Sequence, residues 1–371
     1  MKLSLFLSSL VFLSHSSSTG AYSIPATPKR VIQMTSYWGS YESPSSSSSK
    51  VSTSSTNSSS SSSASTSSNS YEFATDATLL NYALTLEQIQ VAFYTQGLKI
   101  FSQDAFAKAG FAPAVRAKYE QILSHEKSHV ALLQEALQSL GESAVQECVY
   151  DFGDSIDVPS FIVMSTGLET VGASAYSGAL NLLTDKEFLL ATAAILSTEA
   201  RHSTWIQSKV LQINPWSGPY EVPLTPNQAI TIASQFVVAC PDSNPSIAAR
   251  PFPSLNLVSS IAPGVEAEMS FNISEVNEAA QGTIDVSKLS AAFLTANGTI
   301  FAPLMAGLGS PPGTFNVTFP AQKQLLGTGF VAIVNNDTTE VTDATIVAGP
   351  MPIMFPFNAT DPAVESLFSY S

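Results

Sequence analysis

From about residue 75 to residue 239, apolar positions recur every three or four residues, interrupted by clusters of Gly, Pro and Asp. That is the period of helices that bury one face. The spacing predicts helices over 76–101, 113–140, 159–183 and 185–213, with Pro113 and Pro159 in first turns, where a missing N–H costs little. The first two are separated by about a dozen residues and the last two by a few, so each pair reads as an antiparallel hairpin. The roughly eighteen residues between second and third helix are enough to run back along a bundle. Residues 216–226 read as a packing stretch leading into a short fifth helix. From about residue 250 the pattern changes. Short β-prone runs at 268–273, 314–319 and 329–334 alternate with turn sequences such as Ala296-Asn297-Gly298 and Asn335-Asn336-Asp337. The expected architecture is a four-helix bundle with one long crossover, followed by a small all-β, sandwich-like domain.

Each helix carries polar residues on its apolar stripe. The first reads Leu80, Leu84, Glu87, Val91, Tyr94, Leu98; the second Val115, Tyr119, Ile122, Glu126, His129, Leu133; the third Ile162, Thr166, Glu169, Ala173, Tyr176, Leu180; the fourth Thr192, Ile195, Glu199, His202, Ile206, Val210. Four glutamates and two histidines therefore point inward, and no Lys or Arg shares those stripes. A buried carboxylate without a partner takes up a proton or finds a cation. Two divalent metals would balance four such charges, and deprotonated imidazoles would complete nitrogen-and-oxygen coordination. Glu126-x-x-His129 and Glu199-x-x-His202 place each pair on one face, one turn apart. The ordered set Glu, Glu-x-x-His, Glu, Glu-x-x-His on four successive helices is the pattern of di-metal carboxylate bundles. The alternative is a set of polar residues that are partly exposed or hydrogen-bonded to one another in an ordinary bundle.

The pattern repeats within the chain. Ile122-Leu123-Ser124-His125-Glu126-Lys127-Ser128-His129 aligns with Ile195-Leu196-Ser197-Thr198-Glu199-Ala200-Arg201-His202, and Leu86-Glu87 with Tyr94 aligns with Leu168-Glu169 with Tyr176. Two similar hairpins facing each other would bring both half-sites to one centre. Tyr94 and Tyr176, two turns after their glutamates, read as supports to the ligands or redox-active groups, or as core aromatics with satisfied hydroxyls. His125 lies about 100° around the helix from Glu126 and reads as a surface or capping residue. Gly167, Gly172 and Gly178 read as allowing close helix packing.

The rest of the chain sets the context. Met1-Lys2, an apolar run to Leu13 and the small residues Thr19-Gly20-Ala21 read as a signal peptide over 1–21. In the linker assigned to 22–74, 22 of the 28 residues over 43–70 are Ser or Thr, too few apolar groups to order that stretch. The helical bundle is assigned to 75–241 and the β domain to 250–371. No apolar stretch reaches the ~20 residues of a membrane helix. The net charge of −14, without a local basic cluster, argues against nucleic-acid partners. In an oxidising compartment the two cysteines, Cys148 and Cys240, are expected to be bridged. Sequons at Asn57, Asn272, Asn297, Asn316, Asn336 and Asn358 are candidate glycosylation sites, concentrated in the last third and hence expected at the surface.

Residues 76–241 resemble the ferritin-like superfamily. Asn214-Pro215-Trp216 through Pro223-Leu224, with the Cys240-Pro241 ending, is similar to secreted fungal members described as stress-response, desiccation-related or late-sexual-development proteins. The resemblance implies two Fe or Mn ions bridged by Glu126 and Glu199, with Glu87 and His129 completing one position and Glu169 and His202 the other. The appended β domain and the sequons set the chain apart from cage-forming ferritins. The function expected is a secreted di-iron or di-manganese protein that oxidises Fe(II) or consumes peroxide in stress or development. The alternative is a non-enzymatic protein of the cell wall or matrix whose site is empty or structural.

Overall fold

The computed structural model describes residues 75–153, 157–247, 249–279, 282–306, 313–321, 324–335 and 339–355. The leader and the Ser/Thr-rich segment lie outside them, as do Asn57, Asn336 and Asn358. The bundle helices are α1 (Asp76–Ile100), α3 (Pro113–Leu140), α4 (Val158–Ala179) and α5 (Lys186–Trp205), α1 packing chiefly on α3 and α4 on α5. Their boundaries follow local chemistry. Thr75, Asp157 and Asp185 accept backbone N–H groups at the starts of α1, α4 and α5, and Gly141, at φ 75°, ends α3 in the left-handed conformation. α5 runs on through a π-helical turn, Ile206–Leu211. The connection between α1 and α3 is not bare loop. It holds α2 (Gln103–Lys108), capped by Ser102 and anchored by buried Phe106. Among the described residues no helix is long and apolar enough to cross a membrane.

The long crossover between α3 and α4 is pinned from both sides. On the inside, Asn81 Nδ2 donates to Ser143 O (3.0 Å), Asn81 Oδ1 accepts from Val145 N (2.8 Å), and Gln88 Nε2 donates to Val145 O (2.9 Å). Buried polar side chains of α1 thereby satisfy backbone that would otherwise be orphaned. On the outside, β1 (Val149–Tyr150) pairs with β2 (Val237–Ala239), and Cys148 is bridged to Cys240. The short helix expected after 226 is α6 (Pro226–Ala233), opened by a Thr225/Gln228 capping box.

The β region is an antiparallel sandwich. One sheet has the order β10-β9-β5-β6 and the other β3-β4-β8-β7, from β3 (Leu255–Leu257), β4 (Glu266–Phe271), β5 (Leu289–Thr295), β6 (Gly298–Pro303), β7 (Met305–Ala306), β8 (Thr314–Thr318), β9 (Gly327–Asn335) and β10 (Ile346–Phe355). Leu257, Met269 and Val317 of one sheet meet Phe293, Val331 and Ile333 of the other in a shared core. The run expected over 268–273 ends as a strand at Phe271, because Ile273 begins the short helix α7 (Ile273–Ala279). Asn272 and Asn297 are exposed and Asn316 is half-buried, its amide donating to Glu266 Oε1 at 2.8 Å.

This sandwich is not an independent appendage. Phe330, on the face of β9 opposite Val331, joins the bundle core, and α6 packs on β10. Thr225 Oγ1 and Asn227 Nδ2 donate to the two carboxylate oxygens of Asp343 at 2.7 and 2.8 Å, and Thr328 N donates to Ser217 Oγ at 2.7 Å. The segment 214–224 reaches α4 by a donor from Leu224 N to Ser174 O (3.0 Å). A Cβ at Gly178, one turn on, would lie 1.9 Å from Leu224 O. Gly178→Ala must therefore push backbone away from backbone, and a loss of about 3 kcal/mol is expected in urea unfolding. A substitution tolerated within experimental error would mean that this strap is soft.

Candidate metal centre

The four stripes converge on one buried locus. α1 supplies Glu87, Gln90 and Tyr94; α3 supplies Glu126 and His129; α4 supplies Glu169 and Tyr176; α5 supplies Glu199 and His202. All four glutamates are 0% exposed, while His129 and His202 are 8% and 7% exposed. The imidazoles face the carboxylates through Nδ1. His129 Nδ1 lies 3.2 Å from Glu87 Oε2, 3.1 Å from Glu126 Oε2 and 3.4 Å from Glu199 Oε1. His202 Nδ1 lies 3.1 Å from both Glu126 Oε1 and Glu169 Oε2.

That geometry is crowded with acceptors. An imidazole Nδ1 carries at most one hydrogen, so it cannot satisfy two or three carboxylate oxygens at once. Glu126 Oε1 and Glu199 Oε1 are in fact buried without an aligned donor, an arrangement that is costly unless a cation occupies the space between them. The donor set supports the same reading. Glu87, Glu126, His129 and Glu199 offer ligand atoms within 4.8 Å of one another, and so do Glu126, Glu169, Glu199 and His202. Glu126 and Glu199 belong to both groups. Two cations sharing two carboxylates would fit this chain's own side chains, with oxygen and imidazole donors suited to iron or manganese.

Protons compete for these atoms. Burial and the nearby charges of Glu199 and Glu169 hold the Glu126 carboxyl well above the usual range. Burial, then the charge of Glu199, raises Glu169 to about 7. Burial alone would lower both imidazoles, but the surrounding carboxylates more than reverse that, pushing His129 up to about 12 and His202 to about 10.

The tyrosines are reciprocal props. Tyr176 OH, from α4, donates to Glu87 Oε1 at 2.6 Å, and Tyr94 OH, from α1, donates to Glu169 Oε1. Each tyrosine thus supports the glutamate of the opposite helix, leaving that residue's second oxygen facing an imidazole. Their hydroxyls are held far above the usual range, by burial first and by the adjacent carboxylates second.

Three contributions were not read from the sequence. Gln90 Nε2 donates to Glu199 Oε2 at 2.9 Å; its position three residues after Glu87, on the same face, was the available signal. Gly172, expected to serve only packing, leaves room for a ligand candidate, since a Cβ there would sit 2.5 Å from Glu199 Oε2. His125 is exposed as expected, yet its Nδ1 is 2.9 Å from His202 Nε2. A 100° offset takes it off its own stripe and toward a side chain of the neighbouring helix.

Residues 75–212 match the family described as Ferritin-like domain. The helical region is ferritin-like. The chain is also similar to Protein rds1 of Schizosaccharomyces pombe, 27% identical over 184 residues. That alignment covers 50% of this chain and 44% of the fission-yeast protein, so the chain spans less than half the length of this curated relative.

Proposed function

We propose that this chain is a secreted ferritin-like protein that binds a dinuclear iron or manganese centre and uses it to oxidise Fe(II) or consume peroxide, in fungal stress response or sexual development. The observation that carries the metal reading is the pair of buried oxygens without an aligned hydrogen bond, Glu126 Oε1 and Glu199 Oε1, set among imidazole nitrogens that already face too many acceptors. Glu126 and Glu199 would be shared by both ions, Glu87 and His129 would complete one position, and Glu169 and His202 the other. Bound there, the ions would supply redox chemistry toward oxygen or peroxide, or a site for Fe(II) as substrate. The residues themselves orient and exclude. Tyr94 and Tyr176 hold Glu169 and Glu87, Gln90 holds Glu199, and full burial of the carboxylates restricts access to ions and molecules of a few atoms. Secretion is supported by the leader-like 1–21 segment, the sequons and the bridged cysteines. Kinship with the stress-response and development proteins rests on the 214–224 segment and the Cys240-Pro241 ending, beside the similarity to a fungal protein.

Metal analysis of the purified full chain should find about two iron or manganese ions per molecule, and the Glu126→Ala/Glu199→Ala variant should lose both. No transition metal after reconstitution would end the metal reading. A second reading, an extracellular or wall-associated protein with a structural site, draws on the complete burial of the carboxylates. Metal retained without Fe(II) oxidation or peroxide consumption above the variant's background would select it and remove only the enzymatic claim.

A further inference from the structure

We propose that His125 is a positioning residue for His202, and that it makes the two metal positions unequal in affinity. The inference rests on the dinuclear reading above. An imidazole that presents a lone pair at Nδ1 to a cation carries its hydrogen on Nε2, and the partner of that N–H fixes both tautomer and ring orientation. His202 directs Nδ1 at Glu126 and Glu169, and its Nε2 lies 2.9 Å from His125 Nδ1. The ring planes are within 10° of each other with centroids 5.2 Å apart. Given the short nitrogen separation, that spacing is what a straight edge-to-edge N–H···N contact leaves, not a face-to-face stack. His202 Nε2 then donates, His125 Nδ1 accepts, and His125 keeps its own hydrogen on Nε2. Glu126 is the next residue on α3, so one stretch of backbone positions both a shared carboxylate and the prop for an imidazole from α5.

The internal repeat makes this one-sided. The residue aligned with His125 in the second half is Thr198, whose Oγ1 donates to Ala194 O of its own helix at 3.2 Å. The contacts that hold His129 run through Nδ1 to Glu87, Glu126 and Glu199. One half-site therefore has an imidazole supported from behind and the other has a threonine turned to its own helix. The two ions would be held by similar first contacts but by differently supported histidines, and they should bind in order.

The test is titration of the metal-depleted full chain with Mn(II), free ion being counted by its electron paramagnetic resonance signal. His125→Ala should weaken one of two binding events by about 10- to 100-fold and leave the other within about threefold. His125→Asn, whose Oδ1 sits close to the place of the imidazole Nδ1 and accepts the same hydrogen, should restore it, and Thr198→Ala should change neither event. Because His125 is exposed, the variants should melt with wild-type protein in chelator. The proposal is overturned if His125→Ala leaves both affinities unchanged or weakens both equally, or if His125→Asn behaves like His125→Ala. Wild-type protein that takes up neither Mn(II) nor Fe(II) refutes the metal reading itself, a result distinct from two equal Mn(II) sites insensitive to His125.

Discussion

Replacing both Cys148 and Cys240 by Ser is expected to lower unfolding stability by about 4 to 5 kcal/mol. The bridge joins residues 92 apart in sequence, and that loop contains α4, α5 and α6, half of the bundle. In the unfolded chain the link removes the many conformations in which the crossover and the segment after α6 are far apart. Little else replaces it. The β1–β2 ladder is only two or three residues a side, and the flanking contacts of Gln146 with Asn244 and Ser243 are solvent-exposed. The inner pins from Asn81 and Gln88 survive the substitution, so the native fold should persist at room temperature. Urea unfolding with and without the bridge measures the difference. A loss below about 1 kcal/mol would show that the denatured chain keeps this region together without the link.

Mn(II) at a thousandfold excess over its dissociation constant is expected to stabilise the protein at pH 8 by about 4 kcal/mol, a rise of about 10 °C in melting temperature. The gain should shrink as pH falls, for a reason that follows from the direction of the site's ionisations. Glu126, Glu169, His129 and His202 all bind protons more tightly in the folded state than unfolded carboxyls and imidazoles do. Without metal, their contribution to stability is full below the unfolded values, about 4.3 for Glu and 6.5 for His, and is lost as pH rises through the folded ones. For Glu169 that window runs up to about 7, and for His202 to about 10. A metal ion needs the same atoms deprotonated, so binding expels protons and weakens in acid. Melting curves in chelator and in Mn(II) should therefore converge between pH 8 and pH 5. Curves that coincide at pH 8, or that separate further in acid, would remove the competition argument.

The legible part of the candidate site was its inward set. Glu87, Glu126, His129, Glu169, Glu199 and His202 lie on apolar stripes with a 3.6-residue period, and that period alone assigns their face. Tyr94 and Tyr176 were visible as members of the same stripes, but not that each reaches the other helix's glutamate. His125 shows the limit most clearly. Helical phase put it outside the bundle seam, correctly by exposure, yet the ring it meets comes from α5 and extends to that seam's edge. In the β region the run 330–334 of β9, read only as β-prone, is buried on both faces, unlike the alternation of a sheet with one wet face. What covers its second face, the bundle through Phe330 and α6, was not encoded in the run.

Helix positions, their caps and the inward direction of six ligand candidates were thus decided by local sequence. They depend on hydrogen bonds and side-chain spacing within single elements, which a one-dimensional pattern carries. Tertiary structure alone decided which oxygens lack an aligned donor, which tyrosine serves which carboxylate, that His202 rests on His125, and that the sandwich shares a core with the bundle. Those depend on how separate elements dock, to within fractions of an ångström, and periodicity within an element holds no record of its neighbour's position.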